Sequence, residues 1–269
     1  MSLAALFLQN GGILSEFSAK NSDCAVVFIG FSVEAAFKAF SDFRIPHLRA
    51  VCLSPINYNP YKNIDLMLYE VGFDEVILAL LANGLRLESK IIKELDVGLL
   101  SGECNLGEEE LESICANKNL QIILGSDLDK HRAVENIARI LALISKSGVR
   151  VGFLDNGRQS AECGVQMAES QILPLSDFVD YDGLVVYLRN TEYGIRDTES
   201  GWQSVELRVS KQFLQVLKRQ DKEEVEFEFI DIKQKFKAKI KLDENLKGMV
   251  GILSGVSLEA YCYQRVKVA

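Results

Sequence analysis

The sequence is poor in the residues from which active sites are most often assembled. It contains two histidines, His47 and His131, and four prolines among 269 residues. General acid–base and triad chemistry usually relies on histidine, and no nucleophile–base pair is identifiable around either one. His131 and Glu135 have the four-residue spacing of helical metal ligands, but no third ligand is evident, so we favour a solvated or capping role for His131. The sequence therefore predicts no catalytic residue and no metal site.

The cysteines are also too scattered to form a local cofactor motif. No two of the six lie within four residues of each other, which excludes Cys-x-x-Cys redox, structural-zinc and local iron–sulfur signatures. A cluster assembled from distant cysteines is the less favoured alternative to buried, reduced thiols, the usual state in a cytosolic protein. The six are Cys24, Cys52, Cys104, Cys115, Cys163 and Cys262.

Long apolar runs and excess positive charge are lacking too. No apolar run approaches the roughly 20 residues that a membrane helix needs, and residues 1–5 lack the basic region of a signal peptide. A net charge of −8 argues against a nucleic-acid partner. Residues 201–269 hold 13 Lys and Arg against 10 Asp and Glu, whereas residues 1–200 hold 17 against 28. This asymmetry indicates two units. The lack of a membrane-length apolar run and of a signal peptide predicts a cytosolic protein without direct membrane insertion.

The first part of the chain alternates between strand and helix patterns. Apolar runs closed by glycine, as in residues 24–30 and 120–125, are typical of strands buried on both faces. Ser32 and Ser126 are predicted to cap the helices that follow these runs. Alternation of this kind predicts an α/β domain over residues 1–180, with a parallel sheet and helices on both faces. The other predicted strands are 49–53, 97–100 (the weakest of them) and 149–154. The other predicted helices are one over residues 74–85, one that begins at residue 108, and one that ends at Gly148.

The pattern changes near residue 180, where apolar and polar residues begin to alternate. Period two over successive segments indicates half-buried strands, so we predict a smaller β-rich, barrel-like domain over residues 181–269. If residues 224–229 and 235–242 pair as a hairpin, a face of glutamates meets a face of lysines. Such opposite charges contribute roughly 0.2–1 kcal/mol per pair. One short helix, over residues 210–219, interrupts the strands.

Three weak candidates for binding chemistry remain. Gly30 stands between a strand and a helix, where a phosphate could bind the helix N-terminus, but Glu34 in the first turn would repel it. Asp127 and Asp129 could hold Mg²⁺, although capping is the better account. The acidic residues 108–112 are most simply a solvated helix start. Six further residues could form an aromatic–cationic binding surface, but we favour the simpler interpretation that they pack within strands and hairpins. They are Tyr181, Tyr187, Arg189, Tyr193, Arg196 and Trp202.

Five stretches, in their order along the chain, carry a family resemblance. They are residues 68–82, 98–111, 123–143, 204–213 and 239–248. The first three resemble the molybdopterin-oxidoreductase-like region of the large G subunit of bacterial NADH-quinone oxidoreductase (respiratory complex I), of the epsilonproteobacterial type. The last two are similar to the C-terminal barrel of molybdopterin oxidoreductases. Residues 155–164 match the family only loosely, which leaves an inherited pterin pocket in question.

The resemblance implies a non-catalytic part of a catalytic complex. In that family the iron–sulfur clusters lie on a cysteine-rich N-terminal region, so we expect this chain to be the distal part of the subunit, with an incomplete first domain and no cofactor of its own. The expected role is structural, in assembly of the cytoplasmic arm. The expected partners are the other peripheral-arm subunits of complex I, at a cytoplasmic location peripheral to the inner membrane.

Two alternatives from other functional classes stay open. One is a stand-alone molybdopterin-family oxidoreductase or cofactor-binding module, which metal and pterin analysis would distinguish. The other is a generic α/β binding module.

Overall fold

A computed structural model describes residues 1–15, 24–42, 49–117, 119–154, 171–177, 179, 181–189, 205–256 and 259–269. The chain divides into two compact units. The first comprises Met1–Ser54 and Tyr61–Phe178, and the second comprises Pro55–Pro60 and Val179–Ala269.

The first unit is built on a five-stranded sheet in which every pair of neighbours is parallel. Its strands are β1 (Cys24–Ile29), β2 (Arg49–Ser54), β3 (Asp65–Leu68), β4 (Asn119–Leu124) and β5 (Arg150–Phe153). Their spatial order is β3-β2-β1-β4-β5, with β1 in the centre. The continuous apolar run of β1 fits this position, because a central parallel strand is buried on both faces.

Helices cover both faces of this sheet, which confirms the predicted α/β class. They are α1 (Leu3–Gln9), α2 (Val33–Asp42), α3 (Asp74–Gly84), α4 (Lys90–Lys93), α5 (Val97–Cys104), α6 (Glu108–Cys115) and α7 (Val134–Lys146). On one face, α2 packs against Val26 and Phe28 of β1. On the other, α1, α3 and α7 share the large core that contains Val27 and Ile29. Successive residues of β1 thus serve opposite cores, as the strand pleat requires.

The second unit is a closed six-stranded barrel, which confirms the barrel-like C-terminal domain. Its elements are β6 (Val185–Arg189), β7 (Val205–Val209), α8 (Lys211–Leu217), β8 (Glu224–Phe229), β9 (Lys235–Leu242), β10 (Val250–Ser254) and β11 (Tyr263–Val268). The strand order around the barrel is β10-β6-β11-β8-β9-β7. The β10–β6 and β7–β9 pairs are parallel and the other four are antiparallel. Phe229 and Phe236 stack in its core with ring centroids 4.4 Å apart.

The hairpin of β8 and β9 has the predicted charge pattern. The two strands pair antiparallel, and their register places Glu224 opposite Lys239 and Glu228 opposite Lys235. The apolar residues between these charges, such as Phe227 and Phe236, point into the core. The alternation therefore sorts apolar side chains inward and opposite charges onto the same outer face.

Two local predictions were wrong. Residues 97–100 begin helix α5 instead of forming a strand, because the Asp96 carboxylate accepts the Leu99 N–H (3.1 Å) and caps a helix there. Ser126 does not cap α7: it begins a single 3₁₀ turn, and α7 starts at Val134 without a side-chain cap. Strands β3, β10 and β11 and the one-turn helix α4 were not predicted.

Candidate functional site

The two glycine-containing segments singled out in the sequence meet at one place in the fold. Strand order reverses between β1 and β4, since β2 and β3 lie on one side of β1 and β4 and β5 on the other. Open parallel sheets bind ligands outside the carboxyl ends of their strands at such a switch point. Gly30, after β1, and Gly125, after β4, both stand there.

The crevice expected at this switch point is closed at its base by backbone contact. The Gly125 N–H donates to the Ile29 carbonyl oxygen (2.9 Å), and the Asp127 N–H donates to the Gly30 carbonyl oxygen (3.4 Å). A Cβ atom at Gly125 would lie 1.9 Å from the Gly30 oxygen, so only glycine permits this approach. Gly30 itself has a φ of +75° and lies against the Leu128 side chain.

The charges around the switch point are unsuited to phosphate. Ser32 caps α2 as predicted, its Oγ accepting the Ala35 N–H (3.2 Å), but Glu34 follows in the first turn. Burial raises the pKa of the Cys52 thiol to about 12, and the negative charge of Asp127 adds to this rise. A phosphate bound here would be repelled by the carboxylates of Glu34 and Asp127, and this repulsion opposes the attraction of the helix dipole.

Of the two carboxylates considered for Mg²⁺, that of Asp129 has a structural role. Asp129 Oδ1 accepts the N–H of Leu3, which lies 126 positions away in sequence, at 2.8 Å. The Asp129 carboxylate therefore caps the start of α1. Asp127 belongs to the 3₁₀ turn whose backbone joins the two switch-point loops. Within the described parts of the chain, no three His, Cys, Asp or Glu side chains converge in a way that would hold a metal ion.

His131 is buried rather than solvated, and it precedes α7, so it does not share a helix face with Glu135. It is 3% exposed, and its Nδ1 accepts the Ala133 N–H at 3.1 Å. The proton of the neutral ring therefore lies on Nε2, which stands 3.6 Å from Asp74 Oδ2 and 3.4 Å from the Gly72 oxygen. The hydroxyl of Tyr69 donates to Asp74 Oδ1 at 2.6 Å.

A second buried carboxylate lies next to the first, at the start of α3. Glu75 Oε1 accepts a hydrogen bond from Asn136 Nδ2 (2.6 Å), and Oε2 accepts the Ser176 N–H (3.1 Å). Asn136 also exchanges two bonds with the backbone of Leu173: its Oδ1 accepts the Leu173 N–H (2.8 Å), and its Nδ2 donates to the Leu173 oxygen (3.0 Å). Glu75 and Asn136 together hold residues 171–177 against α3 and α7.

These buried polar groups stabilise the fold and are closed to a substrate. Tyr69, Asp74, Glu75, His131 and Asn136 are each at most 4% exposed. Their hydrogen bonds satisfy carboxylates whose burial would otherwise cost several kcal/mol. The sequence pointed to none of these partners except His131, because acidic residues at a helix start normally face solvent and give no signal of burial.

The remaining candidates divide between strand packing and undescribed segments. Tyr187 lies on β6 between the barrel-core residues Val186 and Leu188, is 3% exposed, and packs against Tyr263 with ring centroids 5.1 Å apart. Cys52 and Cys104 are buried thiols, and Cys115 and Cys262 are partly buried thiols. The predictions that lie outside the described residues concern His47, Cys163, Tyr193, Arg196, Trp202 and residues 155–164.

None of the candidates that the structure describes carries the geometry of a working active site. Among the described residues, none of the helices has the length and apolarity to cross a bilayer. Comparison of the chain with protein-family models and with curated proteins found no match.

Proposed function

We propose that this chain is the distal, molybdopterin-oxidoreductase-like part of the G subunit of a NADH-quinone oxidoreductase. Its role there is structural: it contributes to assembly of the cytoplasmic arm beside the other peripheral-arm subunits. Electron transfer through iron–sulfur clusters belongs to the cysteine-rich region of that subunit and not to this chain.

The observation that carries this proposal is the succession of two architectures along one chain. A parallel sheet with helices on both faces is followed by a closed barrel of six strands. This is the order in which the resembling stretches occur in the sequence. The three stretches that resemble the G subunit fall in the sheet-containing unit, and the two that resemble the oxidoreductase barrel fall in the barrel.

The switch point favours a structural role over cofactor binding. In an active α/β enzyme the crevice at this place is open, and backbone N–H groups there are available to a ligand. Here the Gly125 and Asp127 N–H groups donate to the carbonyl oxygens of Ile29 and Gly30. These two N–H groups are therefore already hydrogen-bonded, and a phosphate or pterin that used them would have to displace the existing bonds.

The test is co-purification from the native host. The gene for this chain carries an affinity tag at its chromosomal locus, membranes are solubilised in mild detergent, and the eluate is analysed by quantitative mass spectrometry. We expect the other peripheral-arm subunits in equimolar amounts, together with iron and quinone-reductase activity. An untagged strain, and a strain with the same tag on an unrelated cytosolic protein, are the controls.

Two outcomes would contradict the proposal. If the tagged chain elutes alone, without peripheral-arm subunits, the assembly role is wrong. If it elutes with about one molybdenum or tungsten atom and a fluorescent pterin per chain, it is a cofactor-binding module of the molybdopterin family instead.

A further inference from the structure

A cavity of about 450 Å³ lies in the first unit, apart from the switch point. Its size is within the usual range of small-molecule sites. Helix α7 connects the carboxyl end of β4 to the amino end of β5. Its last turns therefore lie near the amino ends of the strands, away from the switch point at their carboxyl ends. The segment around α4 and residues 171 and 172 complete the walls.

The cavity contains an unusual cation, Arg139. Its Nε and Nη1 atoms are out of contact with solvent and have no hydrogen-bond partner among the described residues, although the residue as a whole is only partly buried. Desolvated guanidinium N–H groups normally face a carboxylate or carbonyl oxygens, because a buried donor without a partner costs about 1–3 kcal/mol. Within the described part of the chain, the Nε and Nη1 groups of Arg139 face neither.

The charge around Arg139 is positive, although the chain as a whole has a net charge of −8. Lys146 lies two turns further along α7, and Lys90 belongs to α4; both line the same cavity. Among the described residues that line it, the one carboxylate is that of Glu88, which pairs with Lys93 outside the lining. Lys90 is itself paired with Glu94 (Nζ to Oε1, 3.9 Å), so the cation that favours an anionic occupant is Arg139.

The rest of the wall is apolar. Ala142 and Ile172 are buried, and Ile91 and Leu143 are partly buried, all lining the cavity. On α7, residues 139, 142, 143 and 146 fall on one face, so the charged and apolar parts of the wall alternate along it. An occupant that matches this wall carries an anionic group and a short hydrocarbon body.

We propose that this cavity binds a small amphipathic oxyanion, with Arg139 as the residue that recognises its anionic group. The guanidinium presents parallel N–H donors that fit a carboxylate or a phosphate in a bidentate manner. Lys146 adds positive charge, and the apolar wall accepts the hydrocarbon part. This proposal is independent of membership in a respiratory complex.

The test is ligand binding by the purified chain in a low-salt, phosphate-free buffer, followed by calorimetry and thermal unfolding. The probes are hexyl phosphate, hexanoate, inorganic phosphate and, as a control without charge, hexanol. We expect hexyl phosphate or hexanoate to raise the unfolding midpoint by about 5 °C at 100 times its Kd. The better of the two identifies the headgroup, inorganic phosphate binds more weakly, and hexanol has no effect.

Variants locate the site. Arg139→Gln is expected to weaken binding at least about tenfold, as for loss of a charged hydrogen bond. Without ligand, its unfolding midpoint should equal or exceed that of the wild type, because two desolvated N–H groups without partners have been removed. Arg86→Gln makes the same charge change at an exposed position outside the cavity and should bind like the wild type. Lys146→Gln, at an exposed position, should weaken binding about threefold.

Three results would overturn the proposal. The first is no shift with any anion at millimolar concentration. The second is equal affinity in the wild type, Arg139→Gln and Lys146→Gln. The third is a lower midpoint for ligand-free Arg139→Gln together with unchanged affinity in Lys146→Gln, which would make Arg139 a structural residue only.

Discussion

At the scale of single residues, the Cys52 thiol links burial to stability against alkali. Its side chain is fully buried in β2, and its pKa is raised from 9.0 to about 12, chiefly by burial and further by Asp127. The unfolded chain has the ordinary pKa, so it loses this proton first as pH rises. The stabilisation is therefore complete below pH 9.0 and is lost as pH rises towards 12.

Replacing Cys52 by alanine should remove this dependence. The free energy of unfolding of the wild type should fall between about pH 9 and about pH 11 more steeply than that of Cys52→Ala. The expected difference in slope is about 1.4 kcal/mol per pH unit, measured by urea unfolding at a series of pH values. Ile123→Val, in the same core, is the control and should keep the wild-type slope. Equal slopes in the wild type and Cys52→Ala would show that another group titrates.

Residue roles were only partly predictable from the sequence. Ser32 was correctly identified as a cap, because its partner is three residues away. Capping was also the favoured role of Asp129, and it does cap a helix, but its partner Leu3 lies 126 positions away and was not predicted. The burial of His131 beside Asp74, which lies 57 positions away, was not predicted either. Local spacing indicates local bonds, but it contains no information about which distant segment folds over a carboxylate or a ring.

At the scale of elements, the contact between the loops after β1 and β4 depends on glycine. The Gly125 Cα position approaches the Gly30 oxygen so closely that a Cβ would overlap it at 1.9 Å. The two nearest atoms, the carbonyl oxygen and carbon of Gly30, belong to the backbone, so a side-chain rotation cannot relieve the overlap. Movement of either loop would break the bond from the Gly125 N–H to the Ile29 oxygen.

Gly125→Ala should therefore destabilise the first unit by about 3 kcal/mol or more, as expected for a steric conflict between buried backbones. Gly102→Ala is the matched control: this glycine lies inside α5, and its added methyl meets nothing within 4 Å. It should stabilise the protein by about 0.5–1 kcal/mol, because alanine favours helix. Chemical denaturation measures both. A Gly125→Ala variant as stable as the wild type would mean that the two loops are not in contact.

Elements with a clear hydrophobic period were the predictable ones. The face of α7 and the alternation in β8 and β9 repeat several times within one element, so the pattern exceeds chance. Strand β3 has four residues and is exposed or half-buried throughout, so it offers no such repeat. Residues 97–100 are apolar enough for a strand, but they form the start of a helix because the Asp96 side chain caps it.

At the scale of the whole molecule, each unit takes in segments that are distant in sequence. Residues 55–60, between β2 and β3, belong to the barrel unit: the Lys247 N–H donates to the Asn57 oxygen (3.0 Å), and the Arg208 guanidinium lies 5.5 Å from the centre of the Tyr58 ring. Hydrophobic periodicity describes elements and their order, and it predicted both architectures. Periodicity does not predict that residues 55–60 belong to the second unit, because this loop has no hydrophobic repeat of its own.

In the first unit, the corresponding long-range tie is Asn136. Its amide joins Glu75 of α3 to the backbone of Leu173, and Glu75 in turn accepts the Ser176 N–H. Loss of the amide leaves a buried carboxylate oxygen and a backbone N–H without partners. Each such group costs about 1–3 kcal/mol, and residues 171–177 lose the bonds that position them.

We therefore expect Asn136→Ala to lower the free energy of unfolding by about 3 kcal/mol and to speed hydrogen exchange at the amides of Leu173 and Ser176, measured by mass spectrometry. Ser147→Ala, at the exposed end of the same helix, is the control and should leave both quantities nearly unchanged. If exchange of residues 171–177 stays at the wild-type rate in Asn136→Ala, apolar packing of Ile172 alone holds that segment, and the buried amide has no positioning role.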